Sequence, residues 1–317
     1  MTDAGPRLDT RYADPEPAPG EALIRPLRLG VCSTDLEICK GYMAFRGVLG
    51  HEFVGVVERV AGERRRDLVG KRVVGAINAV CGRCDLCKAG LKEHCRERTV
   101  LGIAGRDGCF AQRFTLPVNN LLQVPDGLDD DHAVFTEPLA AAIQITRQLT
   151  IEGRPFVTVL GDGRLGLLCA QVMSQLNATV RCVGKHPQKL ALCERWGVKH
   201  RLLSEVGLRA DQDIVVDCTG RAEGLVTAMA MVRPRGKIVL KTTVAPGGPT
   251  VDLSPLVIHE VQLIGSRCGP FAEALAALTE QRIDVVSLIS RRFKLADGVE
   301  ALKAARTGDN IKVLLEP

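Results

Sequence analysis

Six consecutive residues, Gly161-Asp162-Gly163-Arg164-Leu165-Gly166, limit the fold of this chain more than any other stretch, because of what flanks them. An apolar run over 156–160 leads into them and another over 165–176 leads out. A G-x-G-x-x-G spacing alone is a weak signal, and a plain strand-to-helix turn also satisfies it. Between a strand and a helix it becomes the turn that cradles a dinucleotide pyrophosphate. Gly161 permits the tight turn, Gly163 lets the backbone approach the phosphates, and Gly166 lets helix pack on strand. Arg164 and Leu165 head the helix, whose N-terminus favours negative charge.

The alternation continues on both sides. Residues 133–149 are alanine-rich with helical spacing. Strands are predicted at 179–183, 213–217 and 237–242, and helices at 188–196 and 224–231. Strands alternating with helices across short glycine turns specify a doubly wound parallel sheet. Upstream the pattern differs: 21–28, 47–61, 72–80 and 110–116 read as β-strands broken by turns, which suggests a barrel-like β domain. The expected division is residues 1–138 with 285–317 in one domain and 139–284 in the other, a size that 317 residues support.

Twelve cysteines in so long a chain need a reason. Residues 1–19 are polar and proline-rich with no hydrophobic signal core, so a cytoplasmic location is expected, where clustered thiols point to metal rather than disulfides. Cys81, Cys84, Cys87 and Cys95 form C-x2-C-x2-C-x7-C among glycines and charges. Four thiolates fill the shell of a tetrahedral zinc and leave no open position, so this site is structural. A nucleic-acid-binding zinc ribbon would separate two C-x2-C knuckles, whereas three of these cysteines are crowded together.

Partners are narrowed by composition. The net charge of +5 is spread along the chain, with one basic run, Arg64-Arg65-Arg66, that suits a solvated turn. Aromatic residues make up only 3%, too few for a base-stacking groove, so no nucleic acid is expected. No apolar stretch approaches the roughly 18 residues of a membrane span.

Three further motifs remain. Cys32 lies in Gly30-Val31-Cys32-Ser33-Thr34-Asp35, His51 and Glu52 in Gly50-His51-Glu52-Phe53-Val54-Gly55, and Glu137 in Thr136-Glu137-Pro138-Leu139-Ala140. Singly, each suits an ordinary core position. Taken with the four-cysteine lobe and the glycine turn, they give a chain that resembles the zinc-containing medium-chain dehydrogenases of the alcohol dehydrogenase superfamily over nearly its whole length. The E-P-L motif is most similar to the polyol, threonine and glucose dehydrogenase branch.

The resemblance implies an α/β fold, with a GroES-like β-barrel catalytic domain and a Rossmann domain. It implies a second, catalytic zinc held by Cys32 and His51, with either Glu52 or Glu137 as third protein ligand and a position open for substrate oxygen. An alcohol on a Lewis-acidic zinc loses its proton readily and gives up hydride. Thr34 would receive that proton, and Asp35 would orient the His51 ring. Many relatives have a histidine two residues after that aspartate; this chain has Glu37, so either Glu37 carries the proton onward or it leaves by water. Cys218 and Thr219, in Asp217-Cys218-Thr219-Gly220, would line the adenosine side, and Arg267 would contact the nicotinamide ribose or phosphate. Tyr42, Met43 and Phe45 either shape the substrate pocket or form a core loop. Relatives begin with a short apolar strand, which the polar residues 1–7 would leave missing or shortened.

Cofactor choice is read where the second strand of the nucleotide unit ends. An acid there binds the ribose 2′-hydroxyl of NAD. This chain has Gly184-Lys185-His186 with Lys189 a turn later, no acid and three potential cations, which favours NADP over NAD. The expected activity is reversible oxidation of an alcohol (a secondary alcohol, polyol, sugar or hydroxy amino acid) to the carbonyl, in a homodimer or homotetramer. Two other readings compete. One is a zinc-independent quinone or enone reductase of the same fold, which would lack the Cys32, His51 and four-cysteine motifs. The other is a non-catalytic zinc- and nucleotide-binding protein.

Overall fold

The long strand β1 (Glu21–Gly30) buries Ala22, Leu23, Ile24 and Leu29 and organises the first half of the chain. It pairs antiparallel with β2 (Glu52–Val60), and irregularities at Leu23/Ile24 and Pro26/Arg28 bend the pair. Between them lies the short helix α1 (Ser33–Ile38). The computed structural model describes residues 1–243 and 250–317. These divide into two units, Met1–Glu137 with Phe271–Pro317, and Pro138–Pro270.

The first unit continues through β3 (Arg72–Gly75), β4 (Asn78–Ala79), α2 (Asp85–Lys88), β5 (Thr99–Leu101), β6 (Gly105–Arg106), β7 (Phe114–Pro117), β8 (Leu121–Gln123) and α3 (Asp130–Ala133). The run expected over 72–80 is thus two short strands in different sheets. Phe53 and Phe114 pack edge-to-face, with ring centroids 4.7 Å apart, in the core of this unit. Among residues 1–19 the described pairing is a single bridge between Thr2 and Gly5, so a regular first strand is replaced there by a turn.

Helix α4 (Thr136–Gln148) carries the chain into the second unit. There β9 (Phe156–Leu160), α5 (Arg164–Ser174), β10 (Thr179–Gly184), α6 (Pro187–Leu190), α7 (Leu192–Arg195), β11 (Lys199–Leu202), β12 (Gln212–Asp217), α8 (Ala222–Met231), β13 (Val232–Leu240), α9 (Ser254–Ile258) and β14 (Gln262–Gly265) follow in order. The six strands are all parallel, in the spatial order β11-β10-β9-β12-β13-β14. The order reverses at β9, so the carboxyl ends of β9 and β12 flank the switch point where such sheets bind ligands. Val157, Val159, Val215, Val216, Ile238 and Val239 are buried in the sheet, and Leu167, Leu168 and Ala170 of α5 are buried with them.

The chain returns to the first unit with α10 (Phe271–Thr279), β15 (Ile289–Lys294), α11 (Gly298–Arg306) and β16 (Lys312–Glu316). The crossing falls at residues 270/271 instead of the 284/285 read from sequence. The reason is α10, whose buried Ala274, Leu275, Ala277 and Leu278 form an apolar face and which packs beside α3. Its alanine-rich pattern is indistinguishable in sequence from a helix of the nucleotide unit. β16 pairs with β1, which completes a seven-stranded sheet ordered β15-β16-β1-β2-β3-β8 with β7 also on β1.

Candidate metal centres and dinucleotide site

The four-cysteine lobe is an excursion between two strands that pair with each other, β4 and β5. Cys84 caps α2, and Gly82 and Gly90 turn the chain at φ +70° and +79°. These turns bring the sulfurs of Cys81, Cys84, Cys87 and Cys95 all within 4.8 Å of one another. Cys95 Sγ lies 3.5 Å from Cys81 Sγ and 3.9 Å from Cys84 Sγ. Ligands about 2.3 Å from a tetrahedral zinc stand about 3.8 Å apart, so the spacing fits that ion. The backbone N–H of Cys84 points at Cys81 Sγ, and that of Cys81 at Cys95 Sγ, both at 3.4 Å. The backbone N–H groups of Arg96 and Cys87 pull the Cys84 thiol down to about 6, while burial pushes Cys87 up to about 12. The set cannot ionise fully by itself, and a dication is the natural remedy.

The second cluster is assembled from distant segments. Cys32 follows β1 and caps α1. His51 and Glu52 open β2 after Gly50, whose φ of +95° and contact with the Phe110 ring exclude a side chain. The donor atoms of Cys32, His51 and Glu52 lie within 4.8 Å of one another. Asp35 is fully buried. Its Oδ2 accepts from the Cys32 backbone N–H at 2.8 Å, its Oδ1 accepts from that of Gly50 at 3.3 Å, and Oδ1 lies 3.3 Å from His51 Nδ1. One carboxylate thus caps the helix and faces the imidazole. Burial is the largest influence on His51 and opposes its charge, but Asp35 and the Cys32 thiol outweigh it and hold the imidazole well above its ordinary value. The buried Asp35 carboxylate and Cys32 thiol make the pocket electronegative, a setting that also suits a metal cation. Glu52 Oε1 is buried without a hydrogen bond, and buried polar atoms rarely stay so without an unseen partner. Cys32, His51 and Glu52 therefore fit a zinc ion.

The other glutamate stands apart. Glu137 is half-buried in the first turn of α4 and belongs to neither donor cluster among the described residues. Thr34 Oγ1 lies 3.7 Å from Cys32 Sγ. Glu37 pairs at 2.8 Å with the exposed Lys40. Tyr42 and Met43 form a short 3-10 turn; Met43 is exposed and Phe45 is buried.

Sequence reasoning missed Lys312. It is fully buried in β16, and its ammonium is bonded to Glu52 Oε2, 3.4 Å from the Val31 carbonyl and 5.5 Å from the Phe135 ring centroid. Burial pushes it down to about 8 against the raising influence of Cys32 and Asp35. A Cβ at Gly30 would fall 2.5 Å from the ammonium, so that glycine makes room for the pair. Nothing in the local sequence of β16 marks a lysine for burial; only its position opposite β1 does.

In the second unit the glycine turn lies at the end of β9. Gly161 has φ +109°, and a Cβ there would press on the Cys218 backbone at 3.1 Å. A Cβ on Gly166 would collide with the backbone of Gly161, whereas around Gly163 there is open space. Arg164 and Leu165, both half-buried, begin α5. Cys218 and Thr219 follow β12, where Asp217 Oδ1 accepts from the Thr219 N–H at 2.8 Å and burial raises the Asp217 carboxyl. Of the three cations expected after β10, only Lys185 is exposed. His186 Nδ1 lies 3.1 Å from the Asp162 carboxylate, and Lys189 is 6% exposed. A cavity of about 390 Å³ is lined by Gly184, Lys185, Pro187, Leu202, Leu203 and Ser204. Arg267 is exposed after β14, at the far edge of the sheet, and its carbonyl accepts from the buried Lys241 at 3.3 Å.

Comparison with known proteins gives two family matches, the alcohol dehydrogenase GroES-like domain over residues 18–126 and the zinc-binding dehydrogenase over 165–282. A sorbitol dehydrogenase of Halalkalibacterium halodurans is 28% identical, covering 96% of this chain and 94% of its own length. An L-threonine 3-dehydrogenase of Chelativorans sp. is 28% identical over 95% and 93%. Among solved structures, a candidate zinc-binding dehydrogenase of Sinorhizobium meliloti 1021 bound to NADP superposes with a TM-score of 0.87 at 28% identity, over 96% and 94%. A short chain alcohol dehydrogenase of Escherichia coli CFT073 complexed with NADH gives 0.87 at 25%, over 96% and 94%.

Proposed function

The chain belongs to the zinc-binding, medium-chain alcohol dehydrogenase family, and from that premise we propose how its own residues carry out the family's reaction. It is a zinc-dependent, NAD(P)-linked oxidoreductase that oxidises an alcohol to a carbonyl. The observation that carries the assignment to this site is the convergence of the donor atoms of Cys32, His51 and Glu52, with Glu52 Oε1 buried and unbonded. A metal-free reductase has no use for such a set.

Cys32, His51 and Glu52 hold the catalytic zinc, and Glu137 is the alternate carboxylate. The four cysteines of the lobe hold a structural zinc. When bound, the catalytic ion supplies the Lewis acidity that makes an alcohol proton labile. Thr34 receives that proton at its Oγ1, and Asp35 fixes His51 and the N-terminus of α1 together. Lys312 neutralises one Glu52 oxygen and leaves the other free to face the metal. With Glu37 engaged by Lys40, the proton passes from Thr34 to water. On the nucleotide side, Gly161, Gly163, Arg164, Leu165 and Gly166 receive the pyrophosphate at the head of α5. Gly184, Lys185, Cys218 and Thr219 line the adenosine half, and Arg267 is the candidate contact for the nicotinamide half.

The substrate is a secondary alcohol flanked by a second polar group, a polyol or hydroxy amino acid, as the sorbitol and threonine dehydrogenases suggest. No helix among the described residues is long and apolar enough to cross a membrane. None of the twelve cysteines is in a disulfide, which supports a reducing, cytoplasmic setting. Exposed Val257 and Ile258 on α9, beside the edge strand β14, support a homodimer or homotetramer. The test is a zinc count by mass spectrometry with NAD(P)H absorbance measured over alcohols, polyols, sugars and hydroxy amino acids. Two zinc ions per chain and turnover of a polyol or hydroxy amino acid are expected. One zinc and no alcohol-dependent absorbance change would sink the reading.

A further inference from the structure

The strand that carries the ribose-reading acid in NAD enzymes ends here on Gly184, yet the space beside it is filled. β9 and β10 are parallel neighbours with Val183 opposite Leu160, so the second residue of the glycine turn lies against the residue after Val183. That residue of the turn is Asp162. A Cβ built on Gly184 would fall on Asp162 Cβ, Cγ and Oδ2. The carboxylate therefore sits where the side chain of residue 184 would begin. It is 7% exposed, its Oδ2 accepts from the backbone N–H groups of Lys185 at 2.7 Å and His186 at 2.6 Å, and both of its oxygens lie 3.1 Å from His186 Nδ1.

We infer that Asp162 is the cofactor-specificity residue of this enzyme: it supplies, from the glycine turn, the carboxylate that reads the adenosine ribose, and the chain selects NAD over NADP. The inference rests on the dehydrogenase reading above. A ribose 2′-hydroxyl donates to a carboxylate, whereas a 2′-phosphate would bring like charge against it. The two backbone N–H groups that a phosphate would need at the end of β10 are already taken by Asp162. The cations that made NADP the sequence-based choice are reduced to Lys185, because His186 serves Asp162 and Lys189 is buried. For the same reason, an acid placed at Gly184 alone has no room; it needs Asp162 removed.

The experiment measures dissociation constants for NADH and NADPH by calorimetry on the full-length, zinc-loaded protein, independent of turnover. The wild type binds NADH more tightly. Asp162→Asn weakens NADH roughly ten- to a hundredfold, the worth of a hydrogen bond to a charged group, and leaves NADPH unchanged or tighter. The paired variant Asp162→Gly with Gly184→Asp returns a carboxylate to the same space and restores the NADH preference, and it carries the test if Asp162→Asn alone does not fold. A turn that is merely weakened lowers both affinities alike. Equal loss of both cofactors, or a wild type that prefers NADPH, overturns the inference and leaves the dehydrogenase reading standing. A wild type that binds neither overturns both.

Discussion

The two metal clusters of the first unit are built on opposite principles. The lobe draws four sulfurs from one short segment, and backbone N–H groups aimed at those sulfurs preorganise it. The second centre draws Cys32 from the end of β1, His51 and Glu52 from the start of β2, and a counter-charge, Lys312, from β16. One is closed and chemically uniform. The other mixes three donor types, is surrounded by buried charge, and keeps a glutamate oxygen without a hydrogen bond. A closed shell contributes to folding, while an open shell of mixed donors keeps a position for a reacting oxygen. Stability and chemistry are thus assigned to different metals, and the assignment can be broken.

The largest effect is expected at Cys32. Cys32→Ser lowers turnover by on the order of a thousandfold or more, because the group that stabilises developing negative charge is lost. Zinc content falls from two per chain to one, and NADH affinity stays intact. Cys95→Ser also removes one zinc, but it lowers the melting temperature and recovery of folded protein, with the specific activity of the surviving fraction largely kept. Metal analysis, calorimetric melting and active-fraction kinetics separate the two variants. An unchanged melting point in Cys95→Ser, or retained turnover in Cys32→Ser, removes the distinction.

A smaller effect, on stability, isolates the counter-charge. In the zinc-free protein, Lys312→Met strands Glu52 as a buried, unpaired carboxylate and destabilises the fold by about 3–5 kcal/mol. Removing both charges, with Glu52→Gln and Lys312→Met together, recovers most of that loss, since well-packed neutral groups replace buried pairs at little cost. The double variant nevertheless fails to hold the catalytic zinc. Urea unfolding and metal content measured on both proteins give the answer. If the double variant keeps both zinc ions, Glu52 is not a ligand, and Glu137 takes the position.

The same contrast explains what could be read in advance. The lobe was legible because its spacing is local: C-x2-C-x2-C-x7-C says nearly everything about its geometry. The parallel sheet was legible for the same reason, as β9 with its glycine turn shows. Lys312 was not, because a lysine in a short apolar strand carries no sign of burial until β16 is seen to lie on β1. Asp162 was visible as a letter in the glycine pattern, but its meaning depends on the register between β9 and β10. The choice between Glu52 and Glu137 likewise turns on which carboxylate faces Cys32 and His51, a fact of tertiary packing. Helix α10 packs with the first unit, whereas the sequence division puts it in the second, because apolar periodicity fixes which face is buried, never against what.

The smallest expected effect concerns Glu37, at the position where the family resemblance would put a histidine of the proton path. Its side chain is 39% exposed, and its carboxylate is bound to Lys40 Nζ at 2.8 Å, on the solvent side of α1. Exposed pairs of this kind contribute about 0–1 kcal/mol. Asp35 on the same helix is fully buried and serves Cys32, Gly50 and His51, so its replacement acts on the metal centre itself. Glu37→Gln therefore changes turnover by less than about twofold and leaves the pH profile of kcat in place, whereas Asp35→Asn costs roughly ten- to a hundredfold in activity or metal affinity. Solvent-isotope effects should match between Glu37→Gln and the parent, as expected if water takes the proton directly from Thr34. A displaced pH profile in Glu37→Gln would place the carboxylate in the relay after all, and the outer side of α1 would then belong to the catalytic centre.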